Sequence, residues 1–175
     1  MTRAIIFGLC GVLGLSALSA RQNPAAQPPK IAELYYFLGD WDCAGKFVRS
    51  GKSIEARQHF EPILDKSFVL FRHDDKPPHS YHAWAEWGWD GDSQGFVSTV
   101  QDSTGGTRLF HSPGWKEEKL VWSGGAPGKA EDQQFFFEKM SARQFRVGYE
   151  VLKDGSWTTV DVSTCTQTGV KNARR

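Results

Sequence analysis

The chain has 175 residues, with 21 basic against 20 acidic side chains and a formal net charge of +1. So even a balance offers nothing to nucleic acid or an anionic membrane surface, which are bound through clustered Lys and Arg. No apolar run reaches the ~18 residues that a spanning helix needs, which excludes an integral helical membrane protein.

The first element is a leader. Arg3 precedes an apolar stretch, Ala4 to Leu18, and small residues run from Ser16 to Ala20, so residues 1–20 read as a secretory signal peptide and predict a secreted or periplasmic protein. Leu9 stands where lipid attachment at Cys10 would need a small residue. Residues 21–30, RQNPAAQPPK, form a Pro-rich linker, 31–168 a single domain, and 169–175 a basic tail. Two cysteines remain in the domain, Cys43 and Cys165, and in an oxidising compartment an even pair is most simply a disulfide.

Within the domain, Ile31, Leu34, Tyr35 and Leu38 recur at helical spacing and stop at Gly39, which predicts one short helix. Beyond it the pattern is β throughout. Strands are expected at 43–49, 53–61, 66–73, 80–89, 95–102, 107–112, 119–123, 133–139, 144–152 and 157–166, separated by Gly- and Asp-rich turns. Gly105-Gly106 and Gly124-Gly125 read as turns. A meander of about ten strands without intervening helices is all-β, up-and-down and antiparallel, and a sheet that long closes to remove its edges. The expected fold is a β-barrel of about ten strands preceded by a short helix.

One hairpin can be registered in advance. Asp154-Gly155 is a two-residue turn dipeptide, so Lys153 pairs with Ser156, Val151 with Thr158, Tyr149 with Val160 and Val147 with Val162. The same alternation puts Cys165 on the outer face. Cys43 and Phe47 must then face outwards as well, unless the first strand carries a bulge.

The segment Phe37-Leu38-Gly39-Asp40-Trp41, leading into Cys43, resembles the Gly-x-Trp opening of the calycin barrels, which include lipocalins, fatty-acid-binding proteins and nitrobindin-like domains. Ser112-Pro113-Gly114-Trp115 and the late Cys165 are similar to features of exported bacterial domains of unknown function with the nitrobindin-like layout. The resemblance implies a barrel closed at one end by a helix and a Trp. Nitrobindins hold heme through a late-strand His, whereas the last histidine here is His111, so neither heme nor any other cofactor is carried over.

Other constellations are weaker. His73, Asp74, Asp75, His79 and His82 are the densest set of metal-ligating types, but Asp74 to Pro78 reads equally as a polar hairpin loop and the spacing fits no metal motif, so no metal is expected. There is no nucleophile elbow, and Glu86, Asp102 and Glu150 are only a nominal carboxylate set; an enzyme is the less favoured reading.

Seven tryptophans remain to be explained, three of them (Trp84, Trp87 and Trp89) on one strand. Bulky rings either plug a ten-stranded barrel or line a pocket in it. Tyr81, Ala83, Ala85, Trp87 and Trp89 make the more apolar face of their strand, and a hairpin across Asp90-Gly91 aligns Phe96, Ser98 and Val100 with it. The expected pocket is bounded by Trp87, Trp89, Phe96, Phe145 and Tyr149 and takes a small, largely apolar molecule. The rival is an interaction module with a packed core.

Overall fold

The structure, a computed structural model, describes residues 30–169. The expected signal peptide, nearly all of the linker and the tail beyond residue 169 lie outside the described residues. A 3-10 helix, Lys30–Phe37, leads into eleven strands: β1 (Gly39–Phe47), β2 (Ser53–Ile63), β3 (Phe68–Asp75), β4 (His82–Asp90), β5 (Gly95–Asp102), β6 (Thr107–Ser112), β7 (Trp115–Lys116), β8 (Lys119–Gly125), β9 (Gln133–Ser141), β10 (Gln144–Lys153) and β11 (Ser156–Gly169). Neighbours pair antiparallel in the order β6-β5-β4-β3-β2-β1-β11-β10-β9-β8, and β6 pairs back onto β8. The ten long strands therefore form a closed barrel, while the two-residue β7 only clips onto β8. Among the described residues no helix is long and apolar enough to cross a membrane.

The helix differs from the expected one in pitch. Its buried residues are Ile31, Leu34 and Phe37, every third position, which is the line that a helix of three residues per turn presents. Side chains tie it down: the Trp41 indole donates to the Phe37 carbonyl (2.6 Å), the Trp115 indole to that of Glu33 (3.0 Å), and the Tyr35 hydroxyl to that of Lys66 (2.9 Å). Phe37 becomes the hub of the closed end, with the rings of Phe60, Trp87, Trp115, Phe137 and Phe145 centred 5.2–5.5 Å away.

Two strand limits correct the sequence reading. Gly124 and Gly125, expected as a turn, belong to β8, because a Cβ at Gly124 would lie 1.9 Å from the Leu109 carbonyl oxygen across the β6–β8 seam. Asp74 and Asp75, expected in a loop, extend β3 opposite Arg57 and Ala56.

The hairpin β10–β11 starts as expected, with Lys153 opposite Ser156 and Val151 opposite Thr158. It then departs: Glu150 pairs with Thr159 but Tyr149 with Asp161, so Val160 is an extra residue and every later pair shifts by one. Val147 faces Ser163 and Phe145 faces Cys165, rather than Val147 facing Val162. A bulge of this kind turns the strand over. Cys165 consequently points inwards, opposite an inward Cys43, and the two are bridged. The bulge required by the cysteine pair lies in the last strand, not the first.

A cavity at the open end of the barrel

Inward positions change character along the barrel. Near the helix they carry Trp41, Phe60, Trp87, Phe96, Leu120, Phe137 and Phe145, all essentially without exposure. Towards the opposite end they shrink, to Ala83 on β4, Val100 on β5, Val147 on β10 and Ser163 on β11. The difference leaves a cavity of about 380 Å³ that reaches the rim at Phe47, Tyr81 and Gln133. That volume falls within the ~300–1,000 Å³ of small-molecule sites. Trp87, Phe110, Trp122, Phe135 and Phe137 supply much of its apolar wall.

The same wall holds a polar band. On β2 and β3, Gln58 Nε2 lies 3.2 Å from His73 Nδ1, and His73 Nε2 lies 2.8 Å from Asp75 Oδ1. Asp102, at the end of β5, accepts from the Thr104 hydroxyl and pairs with the Arg108 guanidinium of β6. Burial alone would raise its carboxyl, but Thr104 and Arg108 outweigh burial and hold it at about 2. Burial foremost, with Asp102 nearby, pushes the Tyr81 hydroxyl up to about 12; the Tyr149 hydroxyl is also raised, again chiefly by burial.

Asp161 is the unusual member. The bulge at Val160 turns it into the barrel, where burial raises its carboxyl to about 6; Asp75 adds to the rise, while His73 and the Tyr149 backbone N–H oppose it. An unfolded aspartate titrates near 3.8. Between those values the folded chain binds a proton that the unfolded chain does not, so stability falls as pH rises through that window. Above it the ionised carboxylate costs on the order of 2–3 kcal/mol. Asp161→Asn is expected to be more stable than wild type by roughly 1–2 kcal/mol at neutral pH and to lose that advantage near pH 4. Urea denaturation at both pH values checks this; an advantage that does not vary with pH would contradict it.

Of the residues expected to bound a pocket, Trp87 and Tyr149 border the cavity. Trp89, Phe96 and Phe145 do not: Phe96 and Phe145 are fully buried nearer the helix, and Trp89 packs on Phe96 at 5.1 Å. The expected register of β4 and β5 is present, with Trp89 opposite Phe96 and Trp87 opposite Ser98, but it runs from the closed end upwards, so its larger members plug the barrel. Ala83 lines the cavity, whereas Ala85, one pleat lower, is fully buried. Gln58, His73, Asp75, Arg108 and Asp161 were not singled out as pocket residues from sequence. For Gln58 the apolar-polar-apolar alternation Ala56, Gln58, Phe60 was an available signal; for Asp161 strict alternation pointed outwards.

The metal-ligating set is divided by the pleat. His73 and Asp75 face inwards, while His82 pairs with Asp74 on the exposed surface (2.7 Å) and His79 reaches the Ser53 carbonyl. Among the described residues no group of three His, Cys, Asp or Glu side chains is placed to hold a metal ion. The nominal carboxylates do not converge either: Glu86 is exposed, Asp102 faces Arg108, and Glu150 bonds Gln134 and Thr159.

No family model matches the chain, and no curated protein matches it. Among solved structures, one described as EF1p2_mFAP2b bound to DFHBI is similar, with 13% identity over 79% of this chain and 98% of that one, at a TM-score of 0.37.

Proposed function

We propose that the protein is an exported, calycin-like barrel that binds a small molecule in the cavity opposite its helix. The observation that carries this reading is the cavity's unfinished chemistry. Gln58 Oε1, Gln133 Oε1 and Trp122 Nε1 are buried in its wall without a hydrogen-bond partner. No protein group takes up these atoms, so they are available to the polar groups of a bound molecule. The ligand therefore has an apolar body and polar atoms, more polar than the sequence alone suggested. The Cys43–Cys165 bridge supports export, since disulfides persist in oxidising compartments. Trp41 entering β1 beneath a helical cap supports the calycin resemblance.

The rival interaction module finds less support. The exposed apolar side chains are dispersed: Val97 and Leu109 lie on the outer faces of β5 and β6, Trp84 borders a surface depression with Ile63 and Leu70, and Leu152 faces Trp157 on the β10–β11 hairpin.

The probe 2-(2-naphthyl)ethanol should bind saturably with a change in tryptophan emission, because Trp87 and Trp122 line the cavity. Ala83→Trp should fill the space and weaken binding at least tenfold, and Val147→Trp should do the same from the opposite wall. A folded variant of either kind that binds as well as wild type would place the site elsewhere.

A further inference from the structure

Two carboxylates and two buried amide oxygens belong to the cavity wall. Gln58 Nε2 lies against His73 Nδ1, and His73 Nε2 against Asp75, so the amide nitrogen of Gln58 is engaged. That geometry turns Gln58 Oε1 inwards with no partner, on a side chain only 3% exposed. Gln133 Oε1 is a second fully buried acceptor in the same condition, while Trp122 Nε1 and the Tyr149 hydroxyl are donors on the same wall. Arg108, the cavity's guanidinium, is matched by Asp102, and Asp75 by His73, so Asp161 is the carboxylate on the wall without an ion-pair partner of its own.

Resting on the binding reading above, we propose that the ligand is an aromatic or similarly apolar molecule bearing a protonated nitrogen, with its N–H groups on Asp161 and Gln58 Oε1 and its body against Trp87. An anionic ligand would meet two carboxylates and two unpartnered carbonyl oxygens, and a neutral one would leave the charge of Asp161 unmatched. A cation satisfies the carboxylate and the amide oxygen together, and the aromatic faces around it add to the attraction.

The test compares three probes of one shape by calorimetry near pH 7.5: 2-(2-naphthyl)ethylamine, 2-(2-naphthyl)ethanol and 2-naphthylacetate. The amine should bind roughly 10- to 100-fold more tightly than the alcohol, the range of a hydrogen bond to a charged group, and the acetate most weakly. Asp161→Asn should bring the amine to the level of the alcohol while leaving the alcohol's affinity unchanged, and Gln58→Met should weaken the amine several-fold. Thermal melts confirm that both variants are folded. An alcohol or acetate that binds as tightly as the amine overturns the cation assignment and leaves the binding reading standing. Retention of the amine preference in Asp161→Asn overturns the seat on Asp161. If none of the three binds, the binding reading falls and takes this inference with it.

Discussion

Gly124→Ala is expected to destabilise the barrel by roughly 3–5 kcal/mol, the upper range for one added methyl. The cylinder closes along β6–β8, where only Leu109, Phe110 and His111 pair with Gly125, Gly124 and Ser123. A Cβ on Gly124 would sit 1.9 Å from the Leu109 carbonyl oxygen and 2.8 Å from the Phe110 Cα. Both obstacles are backbone, so no rotamer change relieves them and the seam must part. Gly91→Ala is the control: its Cβ would meet nothing within 4 Å, and its effect should stay within about 0.5 kcal/mol. Urea midpoints of the two variants give the comparison; equal midpoints would mean that the seam yields without cost.

Reduction of Cys43–Cys165 should have a loss of similar size. The bridge joins β1 to β11 across 122 positions, and in the chain-entropy model a loop of that length contributes about 4–5 kcal/mol. The oxidised protein should show no free thiol on denaturation, and reductant should lower its thermal midpoint by many degrees. Two titratable thiols in freshly purified, unreduced protein would contradict the pairing.

Much of the architecture was legible because its signals are local. Alternation along 95–102 and 107–112 located β5 and β6 to the residue, and Asp154-Gly155 marked its turn through the left-handed backbone that both residues adopt, with φ of 49° and 76°. The inaccessible parts depend on distant partners. Val160 has nothing in its side chain to mark a bulge; it is extra only because Cys165 and Asp161 must turn inwards opposite Phe145 and Tyr149. Gly124 resembles a turn residue until Leu109 is seen to lie against it. The site suffered from the same limit. Composition could show that large rings fill a barrel, but which pleats they fill depends on where the helix docks. That docking sent Phe96 and Phe145 to the plug and left the wider level to Gln58, His73 and Asp161.

The tethering of the 3-10 helix has a consequence for how the molecule can be attached to anything else. Lys30 enters beside Trp89, and Gly169 leaves opposite Asp40, so both described ends of the chain are gathered at the helix-capped pole. The cavity rim, at Phe47, Tyr81 and Gln133, is at the other pole. A segment joined directly at Lys30 or at Gly169 therefore leaves from the pole behind the barrel, away from the mouth.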